Sequence, residues 1–280
     1  MDEHHIYSGK VRDIYDKQDG TLLMKATDRV SSFDKHIGII PGKGELLNKM
    51  SAFWFNNTKH IIKNHLISSK YNESIVEKCK PIPLEIVVRA YITGATNTSL
   101  WMNYKKGARE YCGISIRDGL KKNEKLDHTI ITPTTKDVED KPISKKEIIE
   151  SAIITEEECD FIYNKALELF KYGEEIADKA GFILVDTKYE FGKNSRGEII
   201  LIDEIHTCDS SRFWIKETYK QRLDKGYEPE KLDKDCVRDW VKSVCNPYTD
   251  PIPNIPQKII DRAHSSYHYF YETLINVDMD

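Results

Sequence analysis

The stretch that most constrains this chain is residues 181–214, GFILVDTKYEFGKNSRGEIILIDEIHTCDSSRFW. Residues 182–191 and 198–206 are rich in β-branched and aromatic side chains. Asn194-Ser195-Arg196-Gly197 between them has turn chemistry, so the pattern predicts a β-hairpin. Side chains alternate across a strand, which puts Asp186, Lys188 and Glu190 on one face. With the turn closed on 194–197, Asp203 falls opposite Lys188 and diagonal to Glu190. A one-residue slip would carry Asp203 to the other face. Carboxylates about 4 Å apart repel by roughly 4 kcal/mol at an effective dielectric of ~20. A divalent cation removes that cost, and Mg²⁺ favours one or two carboxylates plus substrate phosphates. The competing reading is a solvated sheet face laced by cross-strand ion pairs.

A chain of 280 residues can bury a good core, as one large domain or two lobes. Its 42 basic and 46 acidic residues leave a net charge of −4, which argues against nucleic acid as the main partner. The six cysteines include no CxxC pair. A polar start and no long apolar run complete an expectation of reduced thiols in a cytoplasmic protein that does not enter a membrane.

Upstream, residues 6–15 (IYSGKVRDIY) and 21–26 (TLLMKA) read as strands joined at Asp19-Gly20. Gly9 allows close backbone approach and Lys10 and Arg12 carry charge, so this hairpin suits a polyphosphate, or is simply a basic solvated turn. Asp28, Arg29, Ser31 and Ser32 cluster past a strand, and residues 45–62 read as a helix. Two prolines in residues 78–83 suggest a boundary between lobes 1–83 and 84–280. Arg89 in the apolar strand 84–91 is an anion-site candidate, or an edge arginine paired with a surface carboxylate. Residues 119–146 read as a long irregular loop. Ser144 with Glu147 and Thr155 with Glu158 have capping-box spacing, the second opening a helix to about residue 180 with Gly181 as its C-cap. The loop 206–212 is dense in groups that position phosphate or carboxylate. Helices are expected near 233–244 and 256–275, the latter carrying His264 and His268 at a spacing that metal ligands use, with nothing nearby to complete a site.

Taken together, GKVRDIY, ATDRVSSFD, IPGKGELLNK, PLEIVVRAYITG, ITPTTK, VDTKYEFG and LIDEIHTCDSSRFW resemble SAICAR synthetase, phosphoribosylaminoimidazole-succinocarboxamide synthase, in its longer form. The resemblance runs from Ser8 to about Trp240. It implies an α+β, two-lobed, ATP-grasp-like fold with ATP in the cleft between lobes. The implied reaction joins L-aspartate to the carboxylate of carboxyaminoimidazole ribonucleotide (CAIR), using ATP and Mg²⁺, in purine synthesis. By matching positions, Gly9, Lys10 and Arg12 resemble the loop over the ATP phosphates, and the Leu84-Glu85 neighbourhood the backbone edge that meets adenine. Glu190 and Asp203 resemble the metal ligands, with Lys188 at phosphate or the reacting carboxylate and Lys136 a further ATP contact. Arg89 and Arg212 resemble the clamp on the CAIR phosphate, with Asp209 on the nucleotide. Aspartate recognition falls near residues 28–34 and 41–48, with Asp28, Ser32 and Lys43 as candidates.

Two departures stand out. The family's Gly-Ser after the arginine strand is Gly94-Ala95 here, leaving Ser99 or Thr96 to supply the hydroxyl. The family's Thr-Pro-Asp is Thr207-Cys208-Asp209, which is expected to free the loop backbone while keeping its polar groups. The same residues also fit a small-molecule kinase, or a nucleotide-binding module without catalysis. The expected partners are small molecules, with no nucleic acid and no membrane, and homo-oligomerisation is left open.

Overall fold

A computed structural model describes residues 4–32, 35–96, 98–136, 140–232 and 235–278. The chain opens with β1 (His4–Ser8), β2 (Arg12–Asp16) and β3 (Thr21–Ala26), then a small hairpin of β4 (Arg29–Ser32) and β5 (Lys35–Ile39). Helix α1 (Lys43–Asn57) follows, then β6 (Leu66–Lys70) and β7 (Glu73–Glu77). These close a five-stranded antiparallel sheet in the order β1-β2-β3-β7-β6. Helix α1 ends earlier than the pattern predicts: the Thr58 hydroxyl donates to the Trp54 carbonyl and the chain turns. Its inner face is Leu47, Met50 and Trp54, each 0% exposed.

The second sheet is built on β9 (Leu84–Tyr91), preceded by the short β8 (Lys80–Pro81). Helix α2 (Leu100–Lys105), a minimal hairpin β10 (Glu110–Tyr111) and β11 (Ile114–Ser115), then β12 (Lys125–Ile131) and β13 (Thr134–Thr135) come next. Here the structure corrects the expectation of an irregular loop over 119–146: Ile130 and Ile131 of β12 pair with Arg89 and Val88. That segment reads as polar because its outer side is solvated, while Leu126, Ile130 and Ile131 are buried. Helix α3 (Lys145–Glu150) and the long α4 (Glu156–Lys179) both start on the expected capping boxes. Gly181, in the left-handed region at φ +79°, lets the chain reverse after α4.

The reversal leads into β14 (Phe182–Lys193), β15 (Ile199–Ile202) and β16 (Ser211–Ile215). The Asn194–Gly197 turn forms as expected, Gly197 N–H donating to Asn194 O at 2.9 Å. The sheet has seven strands in the order β12-β9-β14-β15, with β13 on β9 and β8 and β16 on β14. At its centre β14 packs against α4, whose Ile162, Ala166, Leu169 and Ala177 are fully buried. The chain ends with α5 (Lys216–Asp224), α6 (Asp235–Val244) and α7 (Gln257–Ile275), the last lying against α1 and α6. One hydrophobic core runs continuously from Leu47 and Trp54 through Tyr189 and Trp214 to Phe270. All six cysteines are thiols, and among the described residues no helix is long and apolar enough to cross a membrane.

Candidate functional site

A cleft of about 1150 Å³ opens between the two sheets. One wall carries Gly9, Lys10 and Arg12; the other carries Glu85, Lys136, Lys188 and Glu190, with Asp203 and Asp209 at its floor. Of the polar face inferred for β14, Lys188 and Glu190 line this space, whereas Asp186 is buried.

The register, however, is not the one expected. Glu190 pairs with Ile202, so in a regular ladder Asp203 would sit beside Tyr189 on the buried face. The ladder stops at Ile202, and Asp203 takes a left-handed backbone, φ +65°. That single residue turns its carboxylate back into the cleft, where Glu190 and Lys188 act on it. Aspartate is one of the few residues that enters this conformation at modest cost. The site survives the slip through a backbone twist rather than through the ladder.

Lys188 Nζ donates to Glu85 Oε1 at 2.8 Å and to Glu190 Oε1 at 3.0 Å, while Lys136 pairs with the other Glu190 oxygen. Burial opposes the lysine's charge, but Glu190, Glu85 and Asp203 outweigh it and hold Lys188 well above lysine's ordinary value. Burial likewise pushes Glu190 up, and the two lysines overcome it and bring the carboxyl below the usual range. Asp203 goes the other way: burial and the neighbouring Glu190 raise it, with Arg12 only partly compensating. Two hard carboxylates, one of them held unfavourably charged, are the donor set that Mg²⁺ completes with phosphate oxygens. Among the described residues no three His, Cys, Asp or Glu side chains converge as a closed metal site, His264 and His268 included.

Arg12 is only 9% exposed, and its guanidinium reaches across the cleft to Glu204 at 2.9 Å, with Asp203 at 3.9 Å. Glu204 also accepts the Thr207 hydroxyl at 2.7 Å. Of the GKVR residues, then, Lys10 and the Gly9 backbone face the open cleft, and Arg12 ties the two sheets together. A Cβ on Gly9 would lie 3.2 Å from Arg12 O, which keeps this turn tight. Arg29 braces it, donating to Gly9 O at 3.1 Å and to both Asp13 oxygens.

The two arginines of the anion clamp do come together. Arg89 and Arg212 both donate to Asp186 Oδ2, at 3.2 and 2.5 Å, and Arg89 also bonds Thr132. Gly94 adopts φ +108°, and a Cβ there would meet Ser99 Cβ at 2.4 Å, so Ser99 packs directly on Gly94 beside this strand. The Ser99 hydroxyl donates to Thr96 O at 2.8 Å and caps α2 through Met102 N–H. It serves as a cap, with its hydrogen given to Thr96 O. The loop expected to loosen without proline is instead pinned: Thr207 Oγ1 accepts from Asp209 N–H and Ser210 N–H, and Ser211 N–H bonds Thr207 O.

Three further candidates sit apart from the open cleft. Leu84 is a core residue, 1% exposed, with its N–H bonded to Ile82 O, while its neighbour Glu85 lines the cleft together with Glu77, Lys78, Cys79 and Pro81. Asp28 caps α1, accepting Gly42 N–H and Gly44 N–H at 3.1 and 2.9 Å, and Lys43 is fully buried with its Nζ on Asp209 and Arg29 O. Neither reaches the open cleft, as their short-range motif could not reveal. The Ser32 side chain and Asp34 lie outside the described residues. Sequence reasoning missed Glu204, although it adjoins Asp203 in the same motif, and Tyr267, for which no local signal exists.

Comparison with known proteins gives a consistent answer. The family model for SAICAR synthetase matches residues 5–255. Phosphoribosylaminoimidazole-succinocarboxamide synthase of Legionella pneumophila (strain Lens) is 49% identical over 271 residues, 96% of this chain and 86% of that one. The chloroplastic enzyme of that name from Arabidopsis thaliana is 50% identical over 275 residues, 97% of this chain and 67% of the relative. Among solved structures, SAICAR synthase from Saccharomyces cerevisiae complexed with SAICAR superposes with a TM-score of 0.84 at 33% identity, covering 99% of this chain and 96% of that one. A type-2 SAICAR synthetase in complex with ADP gives 0.73 at 28% identity, covering 98% and 99%.

Proposed function

Because the chain belongs to the SAICAR synthetase family, and is thus an ATP-dependent ligase that joins L-aspartate to the carboxylate of CAIR in purine biosynthesis, we propose how its own residues divide that work. The observation that carries this reading is the convergence of Lys188 and Glu190 from β14 with Asp203, just past the end of β15, on one cleft.

A carboxylate is a poor electrophile, so ATP first converts that of CAIR to an acyl phosphate, and the aspartate amine then displaces phosphate. Glu190 and Asp203 would hold Mg²⁺ in this scheme, and the chemistry it would supply there is charge neutralisation at the phosphates. Lys188, kept protonated by its carboxylate neighbours, remains a cation throughout and faces the phosphoryl group. Lys136 sits on the far side of Glu190 and orients it, and its ammonium keeps further N–H donors for a phosphate. Lys10 and the Gly9 turn close over the ATP phosphates from the first sheet, and residues 77–81 form the wall for the base. Arg89 and Arg212 exchange part of their bonding to Asp186 for the phosphate of CAIR. We place the lobe boundary near residue 83, where the chain has crossed from one sheet to the other.

Three anions must be gathered in one cleft, so positioning and charge cancellation carry the catalysis. The test is ADP release with ATP, Mg²⁺, CAIR and L-aspartate, omitting each in turn, in the parent protein and in Glu190→Gln. Release should require all four, and E190Q should lose at least about 100-fold in kcat with its fold intact by circular dichroism. Turnover near the parent level in E190Q would remove Glu190 from the metal site. Release without aspartate would favour phosphoryl transfer alone.

A further inference from the structure

Asp209 lines the cleft, yet its side chain is only 3% exposed, so its orientation is set from behind. Lys43 Nζ donates to Oδ2 at 2.7 Å, and the Tyr267 hydroxyl donates to Oδ1 at 2.9 Å. Both donors are 0% exposed. Lys43 opens α1, Asp209 lies between β15 and β16, and Tyr267 sits in α7, so three distant segments converge on one carboxylate. The tyrosine ring is fully enclosed in the hydrophobic core, which fixes where its hydroxyl emerges. The family match stops at residue 255, before α7 begins at Gln257, so the shared pattern gives Tyr267 no role.

The two donors differ in what they can do. A lysine ammonium holds a carboxylate by charge with three rotatable donors, whereas a phenol in a packed ring gives one bond of fixed direction. Bonds to both oxygens together set the plane of the group. A carboxylate has about four acceptor positions, so a group held this way can still receive a substrate hydroxyl.

We propose that Tyr267 is a positioning residue for the ligation: it orients Asp209 to accept a hydroxyl of the CAIR nucleotide, which makes α7 part of the substrate site. This rests on the reading of Asp209 as a CAIR contact. The experiment is steady-state kinetics of the full chain with Tyr267→Phe, Asp209→Asn, the double variant and Phe270→Leu, alongside thermal unfolding of each. Y267F should raise KM for CAIR about tenfold, the loss expected for one hydrogen bond to a charged group, with kcat and KM for ATP within about twofold of the parent. D209N should raise KM for CAIR at least as much, and the double variant no further than D209N. F270L should lower Tm through its lost packing on Phe182 and Phe213 while raising KM for CAIR by less than Y267F does. An unchanged KM in Y267F beside a raised one in D209N sinks the positioning role and spares the Asp209 reading. No effect in D209N sinks both. Additive losses in the double variant, or an F270L effect on CAIR equal to that of Y267F, would reduce Tyr267 to a packing residue.

Discussion

Asp203 combines two liabilities, a left-handed backbone and a carboxylate that burial and Glu190 hold above its ordinary value. Both point to a group kept for function at the expense of stability. Asparagine removes the charge and tolerates the same backbone. Arg12 would lose little, since its close partner is Glu204 at 2.9 Å and Asp203 is 3.9 Å away. Asp203→Asn should therefore raise the stability of the ligand-free protein at pH 7 by on the order of 1 kcal/mol while abolishing ligation. Urea unfolding beside an ADP-release assay checks this, and a less stable D203N would show that the carboxylate is satisfied as it stands. Residues of this kind were half legible. Alternation along β14 correctly grouped Asp186, Lys188 and Glu190, but the partner strand's register depends on where the ladder ends, which residue order alone does not encode. The position of Asp203 was inferred through the wrong geometry and recovered by a twist. The setting of Lys43 was hidden for a related reason: nothing near it in the chain announces that Asp209, far along the sequence, will pair with it.

At the scale of elements, local rules worked where the signal was local. The capping boxes at Ser144 and Thr155, the left-handed Gly181 and the Asn194–Gly197 turn all formed as read. The strand β12 was missed because its partner β9 lies some forty residues upstream, and pairing across that distance leaves no spacing rule to recognise. Helix α4 supplies a sharper test of packing. Gly173 lies against His206, and a Cβ there would fall 2.3 Å from its Cε1 and 2.9 Å from Leu184 Cδ2. Alanine in a helix gains up to about 1 kcal/mol over glycine, whereas overpacking a filled core costs about 1–3 kcal/mol. The ring of His206 is held by the Tyr189 hydroxyl and boxed by Trp54, so it has little room to yield. Gly173→Ala is expected to lower Tm, and a neutral or stabilising outcome would mean that His206 moves freely. Since His206 begins the loop that carries Asp209 and Arg212, the same substitution should also reduce turnover.

For the molecule as a whole, the main core lies around the second sheet and its helices, and the first sheet is bridged to it across the cleft by Arg12 and Glu204. Acid should expose how dependent that core is on neutral histidines. Burial depresses both His65 and His206 to about 3, against roughly 6.5 in an unfolded chain. Between those values the unfolded state binds protons that the folded state does not. The stabilisation is thus complete above about pH 6.5 and falls as pH drops, by up to about 1.4 kcal/mol per pH unit for each histidine. Protonation of Asp203 works in the opposite sense but involves one group against two. Urea midpoints measured from pH 7 to pH 4 should fall steadily, and His206→Gln should flatten the slope; a level profile would mean the rings are reached by protons without unfolding. The two-lobed plan and its cleft were legible from ordered motifs, whereas the bridging pair and the final helix were not. That last helix has a consequence for anyone delimiting this enzyme. The family model's match ends at residue 255, yet the hydrophobic interior continues past it through Tyr267, Phe270 and Leu274. A family pattern and a cooperative fold draw different borders on the same chain, and a gene trimmed to the first would encode a protein with its interior open to water.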